Sequence, residues 1–528
     1  MINWRQFFPF KTPRPEQVQA IEFALSSFAT KKYVILEMPT GTGKSAVAVT
    51  LSRYFQGQSK PAAYIITTQK ILQQQYKNDF PLLANISAKQ NYVCKNKIGG
   101  LTCDFGLIIQ KVVLKDGFKD YYPNCVYARE KRIFDTSDIG VTNLHFFLSH
   151  ANKERSDIKD RILIVVDEAH NLENTVIDYA SLQFTQYVVK DILKLDWPPV
   201  AKMDINQFMD WVRQVYHKKL ENELIAIKFK IEDSQSETFL TSNAGMALMR
   251  RAGDLGRQME ELERCIADFD EDEWVMSVTP TEDIVDIKPL YAKNYTQPLI
   301  FGFAEKVLLM SGTILDKKTY CRNVGIPEEE AAFLSLDSPF PIKNRPIFSV
   351  RAGSLSRNNI DKTLPNIICI INELLDEHKN EKGIIHCGTY KISNYIEKNI
   401  MSDRLLFHST DDRQHILNFH FGSKKSTVLV SPSFTEGVDL YDDFSRFQII
   451  VKCAFPYLGD NYIRTKMEKI PGWYEYTTAK TMIQASGRSI RHVNDNCVTY
   501  ILDSDWIWFF NKNRNLFPAW WAKSVVFM

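Results

Sequence analysis

A chain of 528 residues and 61.1 kDa is too long for one ordinary core, and at roughly 100 to 200 residues per domain it should hold about three or four. Hydrophobic residues at 45% and charged residues at 24% exclude a disordered or fibrous protein, while a formal net charge of +2 excludes polyanion recognition by a global basic field and leaves only a local groove. No apolar run approaches the roughly 20 residues that span a bilayer and no signal peptide is visible; nine cysteines, an odd number over so long a chain, predict reduced thiols and an intracellular protein that is not secreted.

From the N-terminus, the first strong signal is the apolar run Tyr33–Glu37, which reads as a buried strand. It leads directly into Met38-Pro39-Thr40-Gly41-Thr42-Gly43-Lys44-Ser45 and then a helix-forming stretch. In such a strand, loop and helix unit, Gly41 and Gly43 let the backbone close around a phosphate, with main-chain N–H groups and the helix N-terminus pointing at its oxygens. Thr40 and Thr42 belong to the same cradle, Lys44 supplies charge for the β- and γ-phosphates, and the Ser45 hydroxyl is a ligand for Mg²⁺. Met38 stands where the strict pattern has glycine.

Ala63–Thr67 reads as the next strand, and a segment from about Pro81 to Asp135 follows that gathers Cys94, Cys103 and Cys125 among lysines and aromatics. Arg161–Val166 is a strand ending in Asp167-Glu168-Ala169-His170. Carboxylates at the C-terminal end of a parallel strand face the ligand crevice, so Asp167 is expected to hold Mg²⁺ through its water shell and Glu168 to orient or deprotonate the attacking water. His170 either couples nucleotide state to neighbouring loops or caps the turn.

Between Glu173 and about Asp283 amphipathic helices replace the strand signals. Leu248, Leu255, Met259, Leu262 and Ile266 recur at helical spacing, as do Phe208, Val212 and Val215, and both stripes are expected to bury a seam within a helical insertion. The acidic run Asp268–Glu273 reads as a solvated loop. Val307–Ser311 returns to the strand pattern, and the proline-rich stretch 336–346 is the expected linker. Beyond it, Gly383–Cys387, Thr427–Ser431, Ile449–Ala454 and Thr499–Asp503 predict a second parallel sheet.

The order of these motifs resembles that of superfamily 2 helicases, and specifically the XPD/DinG family of iron-sulfur DNA helicases, over nearly the whole chain. Arg14-Pro-Glu-Gln17 resembles the adenine-reading element, Thr67-Thr68-Gln69 with Leu72-Gln73 the first strand-contacting motif, and Val141-Thr-Asn143-Leu-His145 the strand and loop before the acidic box. Ser311-Gly312-Thr313 resembles the motif linking hydrolysis to movement, and Thr389-Tyr390 a further nucleic-acid contact. Gly437 and Asp439 fall in the glycine-acid motif, and Gln484-Ala-Ser-Gly487-Arg488-Ser-Ile-Arg491 resembles the motif whose arginines reach the γ-phosphate across the interdomain cleft. A helix starting near Gln484 would place both arginines on one face.

The resemblance implies an α/β fold of two RecA-like parallel-sheet motor domains. The first, over 1–80, 136–172 and 284–335, would carry a small cysteine-containing insertion (81–135) and a helical arch-like insertion (173–283), and the second would span 336–528. It implies a monomeric ATP-dependent DNA helicase that uses ATP and Mg²⁺, moves 5′ to 3′ on single-stranded DNA and opens forked duplex, with RNA not excluded and no membrane involved. A translocase that remodels protein–DNA or RNA–DNA complexes, and a nucleic-acid-binding scaffold with a vestigial ATPase, are the alternatives. Cys94, Cys103 and Cys125 fit three ligands of a 4Fe-4S cluster, but the fourth is not identified, since Gly106 stands where the partner three residues after Cys103 is expected. A different fourth ligand, an open cluster corner, a zinc ion and a metal-free module all stay open.

Overall fold

The first sheet forms mainly from contiguous apolar runs and not from alternating ones. A computed structural model describes residues 3–58, 60–93, 125–151, 158–234, 239, 242–409, 412–432, 440–487, 489–490 and 494–528. In it β1 (Tyr33–Glu37), β2 (Ala63–Thr67), β3 (Ala84–Asn85), β4 (Ile139–Asn143) and β5 (Arg161–Asp167) lie in one sheet. Three strands of a separate small sheet follow, β6 (Leu182–Thr185), β7 (Trp274–Val278) and β8 (Ile284–Pro289), before β9 (Ala304–Ser311) and β10 (Ala331–Ser335) rejoin the first. Its order is β10-β1-β9-β5-β2-β4-β3, with every pairing parallel. All residues of β1, β2, β4 and β5 are buried, as expected of a sheet covered by helices on both faces. Each Val, Leu or Ile so buried contributes about 1.5–3 kcal/mol.

The second sheet has the same construction. β11 (Ile347–Ser349), β12 (Gly383–His386), β13 (Leu405–Phe407), β14 (Val428–Ser431), β15 (Phe447–Ile450), β16 (Val498–Ile501) and β17 (Val525–Phe527) run parallel in the order β13-β14-β12-β15-β16-β11-β17. Between the sheets the chain is held at both ends of the expected linker. Leu336 packs in the first domain's core with its N–H on Glu37 O at 2.9 Å, and Arg345 donates to Phe340 O at 3.1 Å, Trp520 O at 3.0 Å and Ser524 Oγ at 2.6 Å. The two parallel-sheet motor domains of the expected fold are present.

The insertions differ in detail from the expectation. Ala84–Asn85 joins the first sheet beside β4, so that sheet extends past Pro81. The stretch 173–283 is not purely helical: β6 and β7 lie within it and pair antiparallel with β8. β8 alternates buried Val285 and Ile287 with less buried Asp286 and Lys288, the pattern of a sheet with one solvated face. The helices His217–Ser234 and Asn243–Asp268 do bury a common seam, with Leu220, Leu224, Ile227 and Ile231 in one cluster with Met249, Leu255, Met259 and Leu262. Val215, expected on such a seam, is 39% exposed, and Tyr216 is buried in its place. Tyr216 lies four residues after Val212, so the stripe continues at the i+4 position and not at i+3, through a π-helical turn over Val212–Tyr216. The acidic run is solvated as expected, with Asp268, Asp270, Glu271 and Asp272 exposed, and Asp272 O accepts Lys469 Nζ at 2.6 Å from the second domain. No helix among the described residues is long and apolar enough to cross a membrane.

Candidate active site

The phosphate loop is shaped by two left-handed glycines and braced from behind. Gly41 and Gly43 both have φ +80°, and Gly43 caps the helix Lys44–Tyr54. A side chain at Gly43 would be strained by that φ and would run into the Gln17 amide. Gln17 Nε2 donates to Gly43 O at 3.2 Å, Gln17 Oε1 accepts Arg14 N–H at 2.9 Å, and the Arg14 guanidinium donates to Gly41 O. Both residues of the expected adenine-reading element therefore brace the loop backbone. Thr42 is buried, its hydroxyl donating to Pro39 O at 2.7 Å.

Opposite the loop, β5 ends in the acidic box. Asp167 is buried and accepts the Tyr76 hydroxyl at 2.9 Å and the Glu168 N–H at 2.9 Å. Glu168 sits at φ +53°, a strained conformation for a residue with a side chain, which turns its carboxylate toward Lys44 Nζ at 3.3 Å and His170 Nδ1 at 3.2 Å. Burial pushes the Asp167 carboxyl up, and the neighbouring Glu168 charge adds to it. Burial opposes ionisation of Glu168 too, but Lys44 and His170 outweigh it and hold that carboxyl well below its usual range. The two carboxyls are thus pushed apart, Glu168 being the more readily ionised.

A hydrogen-bond run leads from this box into the second domain. His170 Nδ1 lies 2.7 Å from Ser311 Oγ, Ser311 Oγ accepts the Thr313 N–H at 3.1 Å, and Thr313 Oγ1 accepts Gln484 Nε2 at 3.0 Å. Gln484 lies near the end of the helix Trp473–Ser486, which Gly487 closes. The helix expected to begin at Gln484 therefore ends beside it. Its direction is set upstream, where Gly472 caps it in the left-handed region and Trp473, Tyr476, Ala479, Met482 and Ile483 are buried. Arg488 and Arg491, like Gly437, Asp439, Cys94 and Cys103, lie outside the described residues.

The two domains enclose a cavity of about 790 Å³. Thr40, Gly41, Gly43, Lys44, Ser45, Asp167, Glu168, His170 and Thr313 line it from the first domain, and Gln414, Tyr441, Gln484, Gly487 and Trp520 from the second. Such a cleft, with a glycine loop, a lysine and paired carboxylates at parallel strand ends, can hold a polyphosphate with a divalent cation and direct water at it.

The residues expected to touch nucleic acid are scattered. Gln69 lines the cavity, and Thr68 Oγ1 donates to Glu168 O at 3.4 Å. Asn143 is buried, donating to Gln73 Oε1 at 2.8 Å and accepting the Phe146 N–H at 3.0 Å, so its amide serves the fold. Thr389 caps the helix Tyr390–Asn399 by accepting the Ile392 N–H at 3.3 Å, and Tyr390 is exposed. Cys125 caps another helix, its Sγ accepting the Ala128 N–H at 3.4 Å. Among the described residues no group of three or more His, Cys, Asp or Glu side chains could hold a metal ion.

Solved structures of an XPD helicase (TM-score 0.67, 15% identity, 98% of this chain and 100% of that one) and of S. tokodaii Xpd4 (0.59, 13%, 98% and 100%) share the fold. The family model described as type III restriction enzyme, res subunit, matches residues 10–194, and the helicase C-terminal domain model matches residues 373–524. The chain carries helicase domains and shares the fold of the XPD helicases. A Methanocaldococcus jannaschii protein named as an ATP-dependent helicase is 22% identical over 95% of this chain and 94% of its own length. The ATP-dependent DNA helicase CHL1 of Kluyveromyces lactis is 21% identical over 76% of this chain, which spans 59% of that protein. This helicase is an ATP-hydrolysing enzyme, with ATP and Mg²⁺ implied by that activity.

Several residues of the helicase site escaped the motifs. Glu37, at the end of β1, accepts the N–H groups of Ile314 and Leu315 at 2.7 and 2.6 Å and the Ser335 hydroxyl at 2.6 Å, anchoring the chain just after Thr313. A carboxylate closing a wholly apolar strand was its one visible signal. Tyr76, Gln414, Tyr441 and Trp520 gave none, because only the tertiary fold brings them to the cleft.

Proposed function

We propose that this helicase moves 5′ to 3′ along single-stranded DNA and separates forked duplex. The observation that carries the reading is the cleft itself, where the first domain's phosphate loop and acidic box face Gln484 of the second. Lys44 binds the β- and γ-phosphates, and Glu168 orients the attacking water once a phosphate draws Lys44 away from it. Ser45 and Asp167 would hold Mg²⁺, and the donor set suits it: one hydroxyl and one buried carboxylate beside a second carboxylate. Held by these residues, Mg²⁺ would supply neutralisation of the phosphate charge. Arg488 and Arg491 are the γ-phosphate contacts that the family resemblance implies, with Gly437 and Asp439 as further nucleotide-site candidates, and His170, Ser311 and Thr313 carry the nucleotide state across to Gln484. Thr68, Gln69, Thr389 and Tyr390 are the candidate strand contacts, with Asn143 holding Gln73 behind them.

DNA as substrate is supported by the name of the K. lactis relative. The polarity rests on the family resemblance. The cysteine insertion supplies three thiolates where four are wanted, and the one described, Cys125, is engaged as a helix cap; none of these steps passes through a cluster. The test is strand separation on forked substrates with a 5′ or a 3′ single-stranded tail, in DNA and in RNA. Separation of the 5′-tailed DNA fork alone is expected. Hydrolysis stimulated by single strands without separation of any fork would replace the helicase reading with that of a translocase, and no stimulation at all would remove the motor.

A further inference from the structure

Six residues beyond Asp167, the helix Leu172–Ala180 buries a second carboxylate that none of the roles above uses. Glu173 Oε1 accepts Lys466 Nζ at 2.6 Å and Trp473 Nε1 at 3.2 Å, and Oε2 accepts Asn323 Nδ2 at 3.2 Å. The Lys466 side chain is 1% exposed and that of Glu173 9%. Lys466 Nζ also donates to the Tyr462 hydroxyl at 3.3 Å, which in turn donates to Pro289 O at 3.1 Å. The Trp473 ring, centred 4.8 Å from the Lys466 ammonium, helps to close the pair off from water. Burial raises the Glu173 carboxyl, but Lys466 and Lys480 outweigh it and keep it ionised.

The pair joins the two domains where it matters to the reaction. Glu173 follows the acidic box directly, and Lys466 and Trp473 belong to the second domain, Trp473 opening the helix that carries Gln484. Two further bonds from this helix land on the catalytic turns: Lys480 Nζ donates to His170 O at 3.2 Å and Tyr476 Oη to Ile314 O at 2.8 Å. A buried ion pair is a poor way to gain stability, because desolvation offsets its attraction, and apolar side chains would hold the same surfaces as tightly. What an ion pair with three fixed donors adds is direction.

We propose that Glu173 is a positioning residue of the ATPase: its buried pair with Lys466 sets the register of the Trp473–Ser486 helix on the acidic box, and so the point at which Gln484 and the chain beyond it enter the cleft. This rests on the interdomain ATP site proposed above. Misplacement by about 1 Å of groups acting in the transition state costs on the order of 100-fold, so Glu173→Gln should lower kcat for strand-stimulated hydrolysis by about 10- to 100-fold while leaving KM for ATP near the wild-type value. Glu173→Met with Lys466→Met removes both charges and leaves no unpaired one, so its thermal midpoint should return to the wild-type range while kcat stays low. Wild-type kcat in Glu173→Gln would overturn the proposal, as would recovery of rate along with stability in the double variant, which would make the pair structural only. Absence of strand-stimulated hydrolysis in the wild-type protein is a separate outcome that removes the motor reading and the proposal with it.

Discussion

The first motor domain brings Lys44, Asp167, Glu168, His170 and Ser311 together on its own strand ends, with their mutual bonds already made. The second lines the same cleft from several elements, but its bonds to the catalytic turns of the first come from one helix, Trp473–Ser486. Nucleotide binding can therefore be a property of the first domain, while the rate of hydrolysis depends on how the second is seated. The difference between the two domains shows most at Lys44. Lys44→Ala removes the phosphate-loop lysine, and loss of a preorganised transition-state contact of this kind costs on the order of 10²–10³ in rate. Strand-stimulated hydrolysis should fall by that factor with single-strand binding retained, and an ATPase assay beside a filter-binding titration checks both. A near wild-type rate would mean that the first domain is not where the phosphates sit.

What the sequence made legible follows the same division. Parallel strands buried on both faces are contiguous apolar runs, so β1, β2, β5 and β14 could be placed nearly to the residue. The phosphate loop and acidic box were readable because each is contiguous and follows such a run. The small antiparallel sheet was not, since β6 has only four residues and lies far along the chain from its partner β8. The stripe through Phe208 and Val212 was continued three residues on to Val215, whereas the buried position is Tyr216, four on; both spacings are helical, and the local sequence does not choose between them. The Trp473–Glu173 bond joins positions 300 residues apart, and no local pattern announces such a partner. The helix before Arg488 was placed on the wrong side of Gln484 because its stop, Gly487, lies inside the motif itself.

Acid titration sharpens the comparison in a second way. In the second domain His420 is fully buried, with Nε2 2.9 Å from Phe444 O and Nδ1 2.8 Å from Thr427 Oγ1. Burial pushes its imidazole down to about 4. A histidine depressed in the folded state contributes stability that is fully present above its unfolded pKa, near 6.5, and is lost as pH falls through the folded value; the difference is about 3 kcal/mol. Glu37 in the first domain works in the opposite sense, because burial raises its carboxyl and the folded state takes up its proton first. Unfolding followed from pH 7 to pH 4 should therefore show the second domain losing stability relative to the first, and His420→Gln should flatten that loss. An unchanged pH slope in the variant would assign the acid sensitivity elsewhere.

The smallest expected effect tests the thinnest link between the domains. Gln484 Nε2 and Thr313 Oγ1 are 3.0 Å apart, both groups neutral, and a neutral hydrogen bond contributes about 0.5–1.5 kcal/mol net. Gln484→Ala should thus reduce strand-stimulated kcat by less than about tenfold, far less than Lys44→Ala. Size alone cannot identify the bond, because truncating Gln484 also opens space beside Gly487. The partner can: Thr313→Val removes the acceptor while keeping the shape. If the run from His170 through Ser311 and Thr313 to Gln484 carries the nucleotide state, the double variant should be no slower than the worse single one, a coupling of about 0.5 kcal/mol or more. Additive losses would show two independent defects, and the domains would then be linked through Glu173 and Lys480 without help from this bond.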